Sequence, residues 1–429
     1  MHSLLSKLTP TQREIYQQIG ATAYARDSEA YLVGGAVRDW LLDETTIDDL
    51  DFAVEDDALA FAQSLAASHG GSVITFPKFG SATWRYADQS VDIVMARCEH
   101  YPRPAALPEV APCDILTDLR RRDYTINAMA LRLRDGALLD PLNGQADLQA
   151  RVLRALHPRS FIDDPTRLLR GARYAARLSF QFAPETEALV PSGLPFLRAL
   201  SGERMKYDLE LIFADRHPDR ALIQLKRWSA FQAVGVPAPE EAQITQRFQL
   251  ARERLHSNTW DLKALLPNGL ELVHAVGWAV LCWNTGQLGV SRWVEWLPFT
   301  HALRDALIAL GVLSTMSARL FEAPPSRQSA LLRDFSELAL LLAWLMESHP
   351  HKREAYWREC HVWRKTQPFT SGKDLQARGL PPGPHYSHIL QRLRNAWLDG
   401  RVRSADEERA LLDRLCAELR AGGGAAGAT

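Results

Sequence analysis

The stretch YLVGGAVRD at residues 31–39 decides the fold of this chain, together with DLDFAV at residues 49–54. The first stretch predicts a short apolar strand, a glycine turn and the start of a helix. Such a turn brings backbone N–H groups and Arg38 close to a phosphate. The second stretch predicts a strand with Asp49 and Asp51 on one face, because successive side chains of a strand alternate between its faces. Two carboxylates beside a phosphate-binding turn favour a divalent metal ion, a nucleoside triphosphate and nucleotidyl transfer.

Each half of this pattern has an ordinary explanation when it stands alone. A Gly-Gly pair after a strand is common in α/β proteins. An exposed Asp-x-Asp pair is more often a solvated face than a metal site. The coupling of the two at short spacing favours the functional interpretation.

Composition limits the possible classes of protein. A chain of 429 residues is too long for one hydrophobic core, so about two to four domains are expected. The net charge of -1 gives no overall nucleic-acid signature, and any RNA-binding surface must therefore be local. Five widely spaced cysteines without a CxxC pair favour reduced thiols in a cytoplasmic protein. The sequence has no apolar run long enough to predict a membrane span.

The pattern of elements predicts an α+β protein, with a small α/β head followed by an all-helical neck, body and tail. The predicted strands of the head lie at 31–33, 49–54, 72–76, 82–86, 91–96 and 128–132, with a helix at 57–67. Strand patterns almost vanish after residue 144. The predicted segments are a leading helix at 1–28, the head at 29–148, the neck at 149–215, the body at 216–340, the tail at 341–420 and a disordered end at 421–429.

A cationic motif, DLRRRDYTINAMA, occupies residues 118–130. A run of charge is usually just a solvated face. Here the three arginines and Asp123 lead through a polar Asn127 into an apolar strand. This order predicts that the cluster lies at the mouth of the sheet, beside the carboxylates.

A second motif, FIDDPTRLLRGARYAAR, occupies residues 161–177. Its apolar residues form one helical stripe, and Arg167, Arg170 and Arg173 share the other side. Asp164 followed by proline could simply be the cap and first turn of this helix.

The functional interpretation of Asp164 and Arg167 depends on base chemistry. Cytosine and adenine both present an exocyclic amine next to an unprotonated ring nitrogen. A carboxylate accepts a hydrogen bond from the amine, and an arginine donates to the ring nitrogen. Uracil and guanine present the reverse pattern, so an Asp/Arg pair could select CTP and ATP without a template.

Together these motifs resemble the nucleotidyltransferase core shared with DNA polymerase β. The fuller pattern is similar to that of the bacterial-type, class II family of CCA-adding tRNA nucleotidyltransferases and their poly(A) polymerase relatives. The run from Arg121 to Asn127 matches the family's Arg-Arg-Asp-Phe-Thr-x-Asn with Tyr124 in the Phe position. The family's Glu-Asp-x-x-Arg appears here as Asp163-Asp164-x-x-Arg167, which leaves the role of the first acid open.

The resemblance implies a role for each matching residue. Asp49 and Asp51 would be the catalytic ligands of Mg²⁺, and Asp92 is the one candidate on a following strand for a third carboxylate ligand. The implied nucleotide-binding residues are Gly35, Arg38, Arg122, Asp164, Arg167, Arg170 and Arg173. The implied structural supports are Gly34, Asp123 and Asn127.

The implied activity is addition of C and A to the 3′ end of tRNA from CTP and ATP, with the helical body and tail gripping the tRNA. Addition of CC alone or of A alone would share every motif. In the family, the segment between the first two motifs allows the change from C to A addition and is shortened in CC-adding members. Here that segment, Glu99–Asp118, is present and rich in proline. A poly(A) polymerase and a catalytically inactive RNA-binding protein are the remaining alternatives. No membrane partner is expected, and the sequence leaves the oligomeric state open.

Overall fold

The computed structural model describes residues 2–44, 47, 49–256, 260 and 270–423. The chain forms two compact units, Met1–Gly235 and Val236–Thr429. Of the predicted disordered end at 421–429, residues 424–429 lie outside the described residues. Residues 421–423 belong to the last helix, which continues to Gly423.

The first unit contains every described strand of the chain. The strands are β1 Ala30–Val33, β2 Asp51–Val54, β3 Ser72–Phe76, β4 Ser81–Tyr86, β5 Gln89–Met95, β6 Arg97–His100, β7 Glu109–Pro112, β8 Ala130–Arg132, β9 Leu138–Leu139, β10 Val152–Leu153 and β11 Gln181–Phe182. The helices are α1 His2–Lys7, α2 Pro10–Ala25, α3 Gly35–Leu41, α4 Ala58–His69, α5 Ile115–Arg120, α6 Gly144–Ala150, α7 Ser160–Asp163, α8 Thr166–Leu178, α9 Pro184–Glu187, α10 Val190–Gly193, α11 Gly202–Phe213, α12 Pro218–Arg227 and α13 Ala230–Ala233. Short 3₁₀ segments lie at Pro77–Phe79, Thr125–Asn127 and Leu194–Ala199.

A mixed seven-stranded sheet in the order β3-β4-β5-β2-β1-β8-β9 forms the head. Its pairs are antiparallel except for β2 and β5, which run parallel. Helices α2 and α4 pack on one face, where Phe52 and Ile93 are fully buried. Tyr31, Val33 and Ala53 lie on the opposite face. Asp51 shares that second face, because alternate residues of a strand point the same way.

Two local predictions differ from the structure. The predicted single leading helix is two helices, because Thr9 caps α2 in a capping box with Gln12 and Pro10 takes the first helical position. Strand β2 begins at Asp51 rather than at Asp49. Its partner β1 ends at Val33, opposite Asp51, so the residues before Asp51 have no β1 partner.

The proline-rich segment between the first motifs forms a hairpin that the sequence did not predict. Strands β6 and β7 pair antiparallel from Arg97 opposite Pro112 to His100 opposite Glu109. At the tip, Ala105 is buried, and its N–H lies 3.2 Å from the carbonyl oxygen of Asp163. The hairpin is therefore attached to the segment that carries the second motif.

The first compact unit continues past the predicted neck boundary at residue 215. Helix α12 packs against α8, and α13 packs against α12, which keeps the chain in this unit as far as Gly235.

The regular secondary structure of the second unit is entirely helical in its described residues. Its helices are Glu241–Leu255, Leu272–Cys282, Gly286–Trp296, His301–Leu313, Pro325–Leu332, Glu337–Met346, Pro350–His361, Gly372–Ala377, Pro384–Leu398 and Ala405–Gly423, with 3₁₀ segments at Ala318–Glu322 and Trp363–Lys365. Helix Glu337–Met346 packs against helices on both sides of the predicted body–tail boundary. Among the described residues, no helix has the length and apolar character that crossing a membrane requires.

Candidate active site

A cavity of about 920 Å³ opens on the strand face opposite α2 and α4. It is lined by the glycine turn, strands β2, β4 and β5, the β6–β7 hairpin, and helices α8 and α11. The structure brings all the predicted site residues to this cavity: Gly34, Gly35, Arg38, Asp49, Asp51, Asp92, Arg122, Asp123, Asn127, Asp164, Arg167, Arg170 and Arg173. Its volume lies in the usual range for small-molecule sites.

The glycine turn connects β1 to α3. Gly34 has φ +69°, in the left-handed region that favours glycine. A Cβ atom at this position would lie 3.3 Å from Nη1 of Arg122. Glycine therefore allows both the turn and the close approach of Arg122 from the cationic motif.

Arg38 on α3 is nearly fully buried and has two fixed partners. Its Nε and Nη2 donate to the carboxylate of Asp39 at 2.8 and 2.9 Å, and its Nη1 donates to Oδ1 of Asn127 at 2.7 Å. Burial opposes the charge of Arg38, but the hydrogen bonds and charge of Asp39 outweigh burial and raise the pKa of Arg38. Arg38 is thus a permanently charged group with a fixed orientation at the cavity wall.

The carboxylates meet across the parallel pair of strands. Asp51 and Asp92 are partners in register on β2 and β5, so their side chains share the cavity face. Oδ1 of Asp92 accepts a hydrogen bond of 2.6 Å from the hydroxyl of Thr83. Asp49 also lines the cavity, but it lies before β2 and not on it. The predicted shared strand face of Asp49 and Asp51 is therefore wrong, although both residues line the cavity.

The electrostatics of these carboxylates fit a divalent cation. Burial, followed by the charges of Asp92 and Asp49, raises the pKa of Asp51 to about 6 despite opposing contributions from Arg122 and Arg170. A cation would stabilise the ionised group. Within the described ranges, no group of three or more His, Cys, Asp or Glu side chains is arranged to hold a metal ion. One or two carboxylates completed by phosphate oxygens is, however, the usual arrangement for Mg²⁺.

Arg122 is oriented by an acid that the sequence did not single out. Its Nε and Nη2 donate to Oδ2 of Asp118 at 3.1 and 2.8 Å. Asp118 is buried, which favours its neutral form, but Arg122 and Arg121 outweigh burial and lower the pKa of Asp118. The ionised carboxylate thus holds two consecutive arginines at the cavity edge.

Asp123 accepts hydrogen bonds from three residues. Its Oδ1 accepts from the backbone N–H of Tyr124 at 2.8 Å and from Nδ2 of Asn127 at 3.0 Å. Its Oδ2 accepts from Nε and Nη2 of Arg170 at 2.9 and 2.7 Å. Since Asn127 also accepts from Arg38, these contacts connect α3, the cationic motif and α8.

The two carboxylate oxygens of Asp164 differ in their hydrogen-bond partners. Oδ1 accepts from the N–H and hydroxyl of Thr166 at 3.1 and 2.7 Å and from Nη2 of Arg204 at 2.7 Å. In the part of the chain that the structure describes, the donors to this carboxylate all bind Oδ1. Oδ2 is therefore left for a donor in the cavity. The proline predicted for the first turn lies just before α8, and Asp164 contacts the first helical residue, Thr166, without being the cap residue. This contact and recognition of a ligand are compatible.

Arg167 lies one residue into α8 and is 4% exposed. Its Nη1 donates to Oγ of Ser160 at 2.8 Å, and its Nη2 donates to the carbonyl oxygen of Arg121 at 2.7 Å. Nη1 also lies 3.3 Å from Nε2 of His157. Burial and the charge of Arg167 lower the pKa of His157, which favours the neutral ring that accepts from an arginine.

Tyr174 is a site residue that the sequence did not single out. The guanidinium carbons of Arg38, Arg170 and Arg173 lie 5.4, 5.6 and 5.3 Å from its ring centroid. These distances fall in the range of cation–π contacts. The spacing of Arg170 and Tyr174, one helical turn apart, was the available sequence signal. The ring of Tyr174 thus contacts three arginines of the cavity wall.

The two adjacent acids of the second motif, Asp163 and Asp164, have different arginine partners. Asp163, which stands where the family has Glu, accepts from Nη2 of Arg159 at 2.8 Å and does not line the cavity. Arg204 on α11, which binds Asp164, also donates to the carbonyl oxygen of Ala105 at 2.9 Å. Arg204 therefore connects the tip of the β6–β7 hairpin to Asp164, the acid proposed to recognise the base.

The fold and the site define a nucleotidyltransferase of the polymerase β type, a class that is generally metal-dependent. Residues 30–154 match the poly(A) polymerase head domain family. An A-adding tRNA nucleotidyltransferase from Halalkalibacterium halodurans is 39% identical over 402 residues, covering 89% of this chain and 88% of the relative. A CC-adding tRNA nucleotidyltransferase from Deinococcus radiodurans is 33% identical, covering 95% and 94%. A solved structure of a CCA-adding enzyme in an apo form superposes with a TM-score of 0.76 at 25% identity, covering 97% and 98%.

The chain belongs to the CCA-adding family of tRNA nucleotidyltransferases. The predicted α/β head with a mostly helical remainder is confirmed. The predicted membership in this family is confirmed as well.

Proposed function

We propose that this enzyme adds C and A residues to the 3′ end of tRNA in the cytoplasm, from CTP and ATP and without a nucleic-acid template. The observation that carries the proposal is the arrangement of Asp164 and Arg167 in one cavity with Asp51. Oδ2 of Asp164 is available to accept a hydrogen bond from the exocyclic amine of a base. Arg167 is held by protein acceptors and keeps further N–H groups that can donate to the base. Cytosine and adenine share the complementary pattern of an amine next to an unprotonated ring nitrogen.

The surrounding side chains support nucleotidyl transfer. Asp49 and Asp51 would hold Mg²⁺, which when bound neutralises triphosphate charge and makes the tRNA terminal hydroxyl more acidic. Arg38 and Arg122, each oriented by an acid, would bind phosphate oxygens beside the turn at Gly35. Because these cations are fixed before the nucleotide arrives, they stabilise charge on the phosphates without reorganisation.

Arg170 and Arg173 extend the cationic wall along α8. Arg170 is neutralised in part by Asp123, whereas Nε of Arg173 lies 4.0 Å from its acidic partner Asp215. We assign Arg173 to a phosphate of the nucleotide or of the tRNA end. We assign Arg170 mainly to orienting Asp123 and Tyr174, with a weaker contact to the nucleotide.

A second candidate function is addition of A alone to tRNA that already ends in CC. The relative that is 39% identical carries the name of an A-adding enzyme, which favours this alternative. The two functions share the base pattern described above, because adenine alone also satisfies Asp164 and Arg167.

One assay separates these functions. Purified protein is incubated with Mg²⁺, one labelled nucleotide at a time, and tRNA that lacks CCA, CA or only A. The proposal predicts incorporation of CTP into the first two substrates and of ATP into the third. ATP incorporation into the third substrate without any CTP incorporation would establish the A-adding function instead. Incorporation of CTP without ATP would exclude both functions, and extension of unrelated RNA by A would indicate a poly(A) polymerase.

A further inference from the structure

Ser160 is a buried polar residue next to the candidate base-reading pair. It is the first residue of α7 and has no exposed surface. Its Oγ lies 2.8 Å from Nη1 of Arg167. Since a guanidinium has donors and no acceptor, the hydroxyl must accept this hydrogen bond. A hydrogen bond from a charged donor is stronger and shorter than a neutral one, so it constrains the donor strongly.

Two more acceptors hold the same guanidinium. The carbonyl oxygen of Arg121 accepts from Nη2 at 2.7 Å, and Nε2 of His157 lies 3.3 Å from Nη1. The contacts come from two stretches of the chain, residues 157–160 and Arg121, and together they fix the plane of the group. A guanidinium has five N–H bonds. The N–H of Nε and one N–H of Nη2 therefore remain for a ligand in the cavity.

We propose that Ser160 is a positioning residue for nucleotide selection, which sets the plane of the Arg167 guanidinium before a nucleotide binds. The proposal rests on the proposed function of Asp164 and Arg167 as the base-reading pair. An arginine that lacks the Ser160 acceptor has an unpaired buried donor, and it will rotate toward any other acceptor. The carbonyl oxygens of uracil and guanine are such acceptors. Discrimination against UTP and GTP therefore depends on holding Arg167 still.

The test uses the full-length enzyme and tRNA that lacks only the terminal A. The value of kcat/KM is measured for ATP, CTP, UTP and GTP with wild-type enzyme, Ser160→Ala, Ser160→Thr and Arg167→Ala. We expect Ser160→Ala to lower the preference for ATP over GTP by about tenfold, since a buried donor loses its partner. Ser160→Thr keeps the hydroxyl and should restore most of the preference. If the threonine variant does not fold, the alanine variant and its control below still decide the question.

Ser329 offers a matched control. It is equally buried, lies in the second compact unit, and accepts from Nη2 of Arg394 at 3.4 Å. Ser329→Ala makes the same chemical change beside another arginine, so it should alter thermal stability without altering the nucleotide preference. A loss of preference in Ser160→Ala that exceeds the loss in Ser329→Ala supports the positioning role. Equal losses in the two variants overturn it.

The remaining outcomes separate this inference from the proposed function. An unchanged preference in Ser160→Ala together with a reduced preference in Arg167→Ala overturns the positioning role and leaves base reading intact. An unchanged preference in both variants overturns base reading by Arg167, and the positioning role with it. A common slowing of all four nucleotides in Ser160→Ala also contradicts positioning, because it shows a general loss of activity.

Discussion

Asp51 is the residue on which the proposed chemistry depends most directly, because it pairs with Asp92 in register on the cavity face. We expect Asp51→Ala to reduce nucleotide addition by about a thousandfold or more, since metal-ion catalysis contributes several kcal/mol. The affinity for tRNA should remain nearly unchanged. Asp88→Ala, in the exposed turn between β4 and β5, is the control. More than trace activity of Asp51→Ala with Mg²⁺ would remove Asp51 from the metal site.

Asp164 and Arg167 should determine which bases are accepted. Replacing either residue with alanine should lower the use of CTP and ATP relative to UTP and GTP by about ten- to a hundredfold, because a buried polar partner is lost. Asp164→Ala also removes hydrogen bonds to Thr166 at the start of α8, so it should lower thermal stability as well. Arg167→Ala is the cleaner test. A uniform reduction for all four nucleotides would leave Arg167 only a role in binding phosphate.

The ionised carboxylate of Asp123 should make the stability of the fold depend on pH. Burial favours its neutral form, but Arg170, Asn127 and Arg167 outweigh burial and hold the pKa of Asp123 well below its ordinary value of 3.8. The ionised carboxylate therefore stabilises the fold fully above about pH 4, and this contribution is lost as the pH falls further. Asp123→Asn should lower the free energy of unfolding at pH 7 by about 2–4 kcal/mol, less than for a fully buried pair because Arg170 is partly exposed.

Urea unfolding at pH 7 and pH 3 checks this prediction, since the difference between Asp123→Asn and wild type should be smaller at pH 3. Asp135→Asn is the control, because the pair of Asp135 with Arg132 is exposed and should contribute little. An equal difference at both pH values would show that the ionised form of Asp123 does not stabilise the fold.

At the scale of secondary-structure elements, helix α8 packs closely against Tyr124 at Gly171. A Cβ atom there would lie 2.0 Å from the hydroxyl oxygen of Tyr124, which donates to the carbonyl oxygen of Arg167 at 2.7 Å. Gly→Ala inside a helix ordinarily stabilises it by about 1 kcal/mol. Gly171→Ala should instead destabilise the protein by about 1–3 kcal/mol, because Tyr124 or α8 must move. A move of α8 would also displace Arg167, and nucleotide selection should weaken.

Two further variants check the packing at Gly171 by thermal unfolding. Gly20→Ala in α2 should raise the unfolding temperature, since its Cβ would meet only Leu133 at 3.9 Å. Adding Tyr124→Phe to Gly171→Ala removes the nearest atom and should recover part of the lost stability. An increase in stability for Gly171→Ala alone would show that this contact is not limiting.

At the scale of the whole molecule, we propose that the two compact units divide the tasks, with nucleotide binding in the first and tRNA binding mainly in the second. The cavity residues lie within the first unit, and the second is a helical unit whose arginines include the exposed Arg401 and Arg409. A chain ending at Gly235 should bind ATP but bind tRNA at least about tenfold more weakly than the full chain, because it lacks the arginines of the second unit that we propose contact tRNA phosphates. Binding of tRNA by the full chain should weaken steeply with salt. Filter binding at two salt concentrations measures both, and equal tRNA affinity of the two chains would place the RNA-binding surface in the first unit.

The sequence by itself determined the features that depend on neighbouring residues. The strand, turn and helix around Gly34 follow from local pattern, as does the α8 stripe that carries Arg167 and Arg170. Helix starts such as Asp57 before α4 follow from side chains that bond to nearby backbone groups. These features could be predicted because the interactions that stabilise them join residues only a few positions apart in the sequence. The resemblance to a family then supplied the candidate roles.

The tertiary structure alone decided which distant residues meet. Asp49 lies outside β2, whose pairing with β1 ends at Asp51, and Asp92 shares the cavity face because it pairs in register with Asp51 across β2 and β5. Ser160 and Arg204 become neighbours of the base-reading pair only when α7 and α11 pack around α8. Hydrogen bonds and ion pairs of this kind depend on strand register and helix packing. Register and packing are set by contacts across the whole unit, and no local stretch of sequence contains them.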